Sequence, residues 1–376
     1  MSRAPAESQV VVIGAGQAGL SVAYHLQRLG LRMGTDAVVL DRGPSTGGAW
    51  QHRWAALRLG SAHRVADLPG MSQLGLSFAT ADRMRPAREV VREHYARYEE
   101  AFDLRVARPV EVRAVLDADV PPPTASRRRA AHPSDGVRPL LVRASDGDRV
   151  SRLVVNATGT WGAPFVPSYP GLASFRGRQL HTSGYRSAAD LRGLRVLVVG
   201  GGTSAIGFLL ELEGVAARTM WSTRRPVDFL EAGELDVEAA VRAVELQDRA
   251  ARAGEALPSI VSGTGVPRTR RIAAGIRRGL LASRGPIDRF EERGVVWADG
   301  AREEVDAVIW ATGFRPEIRH LAPLGLREKE GGVRVESGVS ERDPRLFLAG
   351  YGPQASTIGA NRAGRRIARQ VVAALG

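Results

Sequence analysis

No cysteine occurs anywhere in the 376 residues. That absence removes disulfides, thiolate metal ligands and every thiol-based mechanism. Lysine is almost absent as well: Lys329 is the single lysine among 53 basic residues, against 40 acidic ones. The net charge of +13 is therefore carried by arginines spread along the chain. Such a spread argues against a nucleic-acid face, which needs a concentrated basic patch. No apolar run approaches the roughly 20 residues that span a bilayer. The first apolar run, Val10 to Ile13, leads straight into Gly14-Ala-Gly16 and reads as a strand and turn rather than a secretion signal. A cytoplasmic protein without membrane or nucleic-acid partners is expected. No Ser/His/Asp or metal-ligand constellation stands out either, so the chemistry is expected to come from bound small molecules and not from a metal.

What the chain has in abundance is glycine at turns. Gly14-Ala-Gly16-Gln-Ala-Gly19 is a G-x-G-x-x-G between an apolar strand, Gln9 to Ile13, and a helix from about Ala18. The first glycine permits the turn, the second admits a pyrophosphate close to the backbone, and the third lets the helix pack on its strand. Asp41 lies 22 residues beyond Gly19 at the end of the next strand, placed to accept from ribose hydroxyls.

A second such unit opens in mid-chain. The strand Leu194 to Val199 runs into Gly200-Gly-Gly202-Thr203-Ser204-Ala205, with alanine in place of the third glycine. Its next strand ends in Ser222-Thr223-Arg224-Arg225 rather than an acid. Hydroxyls and guanidinium groups suit a 2′-phosphate, so NADPH is expected over NADH. Ala-Thr-Gly also recurs, at Ala157-Thr158-Gly159 and Ala311-Thr312-Gly313, each after an apolar strand. The fold class expected is α/β with two Rossmann-like dinucleotide-binding domains. One is discontinuous, residues 1–160 plus 315–376. The other, 161–314, is inserted in it and carries a helical cap at about 235–285. Arg88 to Phe102, Val237 to Ala253 and Arg268 to Leu281 are expected as helices, and Leu104 to Ala118 as a strand. The Pro- and Arg-rich stretch from Pro121 to Gly136 is expected as a surface loop.

Between the two glycine turns lies Phe175-Arg-Gly177-Arg-Gln-Leu-His181-Thr-Ser-Gly-Tyr185, which reads F-x-G-x-x-x-H-x-x-x-Y. Together with the two turns, this window resembles the signature of the flavin-containing monooxygenases, in a compact bacterial branch similar to the plant YUCCA enzymes. The resemblance extends over nearly the whole chain. It implies FAD on the first unit, held by Gly14, Gly16, Gly19, Asp41, Gly48 and Trp50 of the Gly47-Gly48-Ala-Trp50 run, Thr158, Gly159, Gly350 and Tyr351. It implies NADPH on the second, held by Gly200, Gly202, Thr203, Ser204, Ser222, Thr223, Arg224, Arg225, Thr312 and Gly313. Thr357 and Asn361 are further polar candidates near the flavin. His181 of the signature is assigned a conformational role ahead of a proton-transfer one. Animal-type members carry an asparagine where this chain runs from Arg58 to His63 without one, which leaves Ser61 and His63 as the groups in that place.

The activity implied is an FAD-dependent, NADPH- and O2-using monooxygenase that forms a C4a-(hydro)peroxyflavin and oxygenates a small amine, sulfide or keto compound. Baeyer–Villiger members end the signature window in tryptophan, so Tyr185 points to heteroatom oxidation. A homodimer is the family habit. The alternative is an NADPH-dependent flavoprotein reductase that passes electrons to an acceptor without oxygenation. The dithiol version of that reductase is excluded by the missing cysteines.

Overall fold

A computed structural model of the chain describes residues 5–62, 65–118, 138–230, 237–258, 265–355 and 357–376. The stretch Pro121 to Gly136, expected as a loop, lies outside the described residues, as does His63.

The chain opens with β1 (Ala6–Ile13), α1 (Gln17–Arg28) and β2 (Ala37–Leu40), then α2 (Ala87–Ala101), β3 (Val112–Asp117), β4 (Leu140–Ala144) and β5 (Arg149–Asn156). β1 pairs in parallel with β2 on one side and β5 on the other, Val10 facing Ala37 and Leu153. The unbroken apolar run of β1 is read by both faces of the sheet. Val10 and Val12 enter one core with Leu20, Val22 and Leu26, while Val11 and Ile13 enter another with Leu346 and Leu348. A strand buried on both faces needs no polar alternation. In α2 the face Val91, Tyr95 and Tyr98 is buried, at the helical spacing visible in the sequence.

The middle of the chain builds a second sheet. It contributes β6 (Arg178–His181), β7 (Arg195–Val199), α3 (Thr203–Leu212) and β8 (Arg218–Ser222). A short ribbon of β9 (Phe229–Leu230), α4 (Val237–Ala253), β10 (Val266–Pro267) and α5 (Arg270–Arg277) follow. The antiparallel β11 (Ile287–Glu291), β12 (Gly294–Trp297) and β13 (Arg302–Glu304) precede β14 (Ala307–Trp310). The order is β6-β14-β7-β8, all parallel. The two-faced pattern recurs: Val196, Val198, Ala307 and Ile309 enter one core, and Leu197, Val199, Val308 and Trp310 the other.

The chain then returns to the first sheet with β15 (Val335–Glu336), β16 (Val339–Ser340) and β17 (Leu346–Leu348), and ends in α6 (Thr357–Leu375). β17 pairs with the second half of β5, beside β4 on the first half. The second sheet and the β2-β1-β5-β17 centre of the first are thus of the parallel kind expected for dinucleotide-binding folds, the first sheet adding antiparallel strands through β3-β4 and β15-β16.

Three expectations change in detail. The strand expected over Leu104–Ala118 splits. Residues 107–110 lie along the end of β2 through Ala107 N to Val39 O (2.9 Å) and Val110 N to Asp41 O (2.8 Å), and Pro109, lacking an N–H, cannot carry a ladder. α5 ends at Arg277 rather than Leu281, because Gly279 turns the chain at φ +75°. α4, expected in a cap on the second unit, packs on β15 and the turn Gly352–Gln354, with Ala251 in the core of the first sheet. The β11–β13 meander carries no periodic signal distinguishing it from a loop. Among the described residues no helix is long and apolar enough to cross a membrane.

α6 returns across α1, and Gly364 makes that contact possible. A Cβ on Gly364 would stand 2.2 Å from the buried Ser21 Oγ. Gly364→Val is expected to lower unfolding stability by about 1–3 kcal/mol in denaturant titration. An unchanged midpoint would show that the two helices do not pack this closely.

Candidate dinucleotide sites and their junction

The first glycine turn leaves β1 at Gly14, with φ +101°. A Cβ there would lie 2.6 Å from the Ala157 carbonyl oxygen, and one on Gly19 only 1.8 Å from the Gly14 oxygen. Gly16 caps α1 with no side-chain hydrogen bond and no acidic residue in the first turn. The helix's leading N–H groups are thus left for an outside acceptor. Gly48, at φ +52°, brings a second glycine against the first, since a Cβ on it would meet Gly16 Cα at 2.7 Å. Asp41 sits beside this cradle. Its Oδ2 accepts from Ala15 N and its Oδ1 from Gly43 N, both at 2.7 Å, which fixes the carboxylate at the end of β2.

The second turn repeats the device. Gly200 has φ +131°, and a Cβ on it would meet the Ala311 carbonyl oxygen at 2.3 Å. Gly202 caps α3, again without a side-chain hydrogen bond or first-turn acid. Thr203 is exposed and Ser204 half-buried at the head of that helix. Not every expected residue faces the turn. The Ser222 hydroxyl donates to Gly285 O at 2.9 Å, and that of Thr223 shares a 2.7 Å hydrogen bond with Ser283. Both hydroxyls are buried. Arg224 and Arg225 are exposed at the end of β8.

The signature window joins the two units. β6 pairs with β14, so His181 stands opposite Trp310 at the edge of the second hinge. His181 Nε2 contacts Gly313 O at 2.9 Å, and its Nδ1 accepts from Ser183 N at 3.2 Å. This pair of contacts selects the Nε2–H tautomer and commits both ring nitrogens to backbone. Burial, which favours the neutral ring, pushes the imidazole below its usual range, and the hydrogen bond to Gly313 opposes that shift. Thr312 Oγ1 donates to Phe165 O, and Phe165 N donates to Gly313 O at 3.0 Å. Tyr185 is buried beside Trp54, and both donate to one carboxylate: Trp54 Nε1 to Glu211 Oε1 at 2.7 Å, Tyr185 OH to Oε2 at 3.1 Å. Burial raises the Glu211 pKa, and these two hydrogen bonds oppose the rise. Trp54 follows the Gly47–Trp50 run of the first unit, yet its side chain lies in the core of the second with Phe208 and Tyr185. An aromatic row continues the junction: His52 stacks on Trp161, Trp161 on Phe314, and Phe314 meets His181 edge-on.

The first hinge has its own buried network. His320 Nε2 lies 2.8 Å from Asn156 Oδ1, and Thr158 Oγ1 donates to Asn156 Oδ1 (3.1 Å) and to Glu317 O (2.5 Å). Burial holds the His320 imidazole down at about 4. Gly159 and Gly350 take φ +65° and +76° beside this network. Tyr351 turns its ring into the core, where its hydroxyl accepts from Val333 N at 3.0 Å, so its backbone alone faces the hinge side. Trp50 is buried in the core of the first sheet. Asn361 accepts from Gln17 Nε2 at 2.9 Å and donates to Asp67 O at 2.5 Å, tying α6 to α1. Ser61 is exposed and donates to Arg58 O at 3.1 Å.

Sequence reasoning missed Glu211, His320 and Arg53. No motif marks them. Glu211 and His320 acquire their roles from partners more than 150 residues away, the separations being 157 for Trp54–Glu211 and 164 for Asn156–His320. Among the described residues no group of His, Asp and Glu side chains converges as a metal site.

Comparison with known proteins adds to this geometry. The family model for pyridine nucleotide-disulphide oxidoreductases matches residues 146–351, and that for FAD dependent oxidoreductases matches residues 9–130. A flavin-containing monooxygenase from Stenotrophomonas maltophilia superposes with a TM-score of 0.77 at 34% identity, covering 99% of this chain and 100% of that one. The rice protein named indole-3-pyruvate monooxygenase YUCCA4 is 30% identical over 85% of this chain and 76% of its own length. The Bacillus velezensis oxidoreductase CzcO is 26% identical over 58% of this chain. The chain spans little more than half the length of that relative, 56%.

His320 sets a pH expectation. Its folded pKa of about 4 lies below the unfolded 6.5, so the stability tied to the neutral ring is complete above 6.5 and is lost as pH falls toward 4. Over that window wild type is expected to lose about 3 kcal/mol relative to His320→Gln. Parallel stability–pH curves for the two proteins would contradict the buried neutral assignment.

Proposed function

The chain belongs to the flavin-containing monooxygenase family, and from that premise we propose that it is an FAD-dependent, NADPH- and O2-using oxygenase of a small organic substrate. The observation that carries the reading is the pairing of two uncapped glycine turns, each pressed against its own Ala-Thr-Gly hinge, with a signature window whose His181 holds the second hinge and whose Tyr185 shares Glu211 with Trp54 of the first unit. The units proposed are residues 1–160 plus 315–376 for FAD and 161–314 for NADPH, in a cytoplasmic enzyme that needs no nucleic acid or membrane.

The residues present fit both groups. Side chains at Gly14, Gly16, Gly19 and Gly48 would fill the first cradle or break its contacts, and Asp41 beside it offers its remaining lone pairs to a ribose. Trp50, Thr158, Gly159 and Gly350 would complete the FAD site, with Tyr351 contributing backbone. In the second unit Gly200, Gly202, Thr203 and Ser204 would take the pyrophosphate, and Thr312 and Gly313 the far end of the coenzyme. Arg224 and Arg225 would take the 2′-phosphate, with Ser222 and Thr223 shaping the strand end from below. When bound, FAD reduced by NADPH supplies the electrons for oxygen activation.

The protein's own part is placement and exclusion of water. His181 acts as a positioning residue: its proton stays on Nε2, and its hydrogen bond to Gly313 O fixes the second hinge against the signature strand. The Trp54–Glu211–Tyr185 cluster keeps the segment after Trp50 docked on the second unit. The relative from rice carries the name of a 2-oxo acid monooxygenase, so 2-oxo acids join amines and sulfides as the substrate classes to try.

Replacing Arg224 and Arg225 by alanine together is expected to raise KM for NADPH about 10–100-fold while KM for NADH moves less than about twofold. Equal effects on both coenzymes would remove the 2′-phosphate assignment. Turnover under isotopically heavy O2 with a tertiary amine, a thioether and an aryl 2-oxo acid is expected to place one heavy oxygen atom in the product. Hydrogen peroxide alone across all three would make the protein a reductase or oxidase.

A further inference from the structure

Arg53 is a half-buried cation whose side chain has no hydrogen-bond partner among the described residues. It follows directly on the short helix Gly48–His52, which starts at the first phosphate cradle. Its guanidinium carbon stands 4.5 Å from the Trp161 ring centre and 5.6 Å from that of Trp50. Its Nε is sealed from solvent and meets no acceptor. Among the described residues no carboxylate or carbonyl receives any of its N–H groups. Arg108, also half-buried and with a sealed, unpartnered Nε of its own, shows the contrast at its terminal nitrogens, which donate to both oxygens of Glu99 at 2.5 and 3.0 Å. Burial lowers the Arg53 pKa to about 10, a desolvation cost against which the described residues set only the two indole faces.

The location says what kind of group is missing. Trp161 comes just after the first hinge and stacks on Phe314, just after the second. The guanidinium therefore lies where the chain crosses between the two units, flanked by two indole faces. A planar guanidinium on aromatic walls is oriented for paired hydrogen bonds to phosphate or carboxylate, and exclusion of water strengthens them.

We propose that Arg53 is an oxyanion-binding residue at this junction, which takes a dinucleotide phosphate or a substrate carboxylate in paired hydrogen bonds while Trp50 and Trp161 hold its plane. For the phosphate sources the inference rests on the function proposed above. It goes beyond that function in assigning the junction its own anion subsite.

Full-length Arg53→Gln and Arg53→Lys would be purified beside wild type. FAD per protein, NADP+ affinity, and affinity for phenylpyruvate against its neutral methyl ester would be measured, with the thermal midpoint of each protein. One of the three ligands is expected to bind about tenfold or more weaker in Arg53→Gln, with Arg53→Lys, which keeps the charge but not the fork, in between. The midpoint without added ligand is expected to stay or rise in Arg53→Gln where it keeps its FAD, because a charge without a hydrogen-bonded partner has gone. Lower FAD content names the cofactor phosphate as the source, and weaker NADP+ the coenzyme. A loss for phenylpyruvate but not its ester names a substrate carboxylate. If FAD, NADP+ and phenylpyruvate all bind Arg53→Gln as they bind wild type, the proposal fails. A lowered midpoint with those affinities intact would assign Arg53 to packing alone. Wild-type protein that takes up no FAD would overturn the function proposed above, while the NADP+ and phenylpyruvate comparisons would still decide the role of Arg53.

Discussion

The rest of the structure depends on one close backbone approach, made twice. The turn after β1 passes so near the Asn156–Gly159 hinge that a Cβ on Gly14 would stand 2.6 Å from Ala157 O. The turn after β7 repeats it against the second hinge, Gly200 to Ala311 O at 2.3 Å. Glycine at positive φ is the residue that permits both the turn and the approach. Each approach puts the uncapped start of a helix beside the point where the chain leaves its sheet. The anion-receiving ends of α1 and α3 and the crossings between the units are therefore held by the same few backbone atoms.

From that constraint the polar groups of the junction acquire their tasks. His181 spends both ring nitrogens on backbone, one of them on Gly313. His320 gives one ring nitrogen to the Asn156 side chain at the other hinge. Glu211 gathers a tryptophan from one unit and a tyrosine from the other. His181 cannot act as an acid or base toward a substrate without first giving up a structural hydrogen bond. A protein whose redox chemistry comes with its bound groups needs such rigid placement more than it needs proton relays.

How much of this was legible in the sequence follows from where each signal resides. Gly14, Gly19, Gly200 and the Ala-Thr-Gly hinges answer to local backbone demands, so their pattern names them. The apolar runs of β1, β7 and β14 announce strands buried on both faces. Ser222, Thr223 and Tyr351 were legible as positions but not as directions: their hydroxyls turn to Gly285, Ser283 and Val333, which the local sequence does not specify. Trp54 reads as part of the first unit and packs in the second. Arg53 is one arginine among many until the fold sets it against two indoles.

Anaerobic titration of the purified protein with NADPH, followed through the visible absorbance of its flavin, tests the central claim most directly. If the two turns hold FAD and NADPH across a common junction, the protein is expected to be purified yellow and to be bleached by stoichiometric NADPH, with NADH far less effective. Protein that carries FAD yet stays oxidised under excess NADPH would contradict the account, because the second turn would then not deliver its coenzyme to the first.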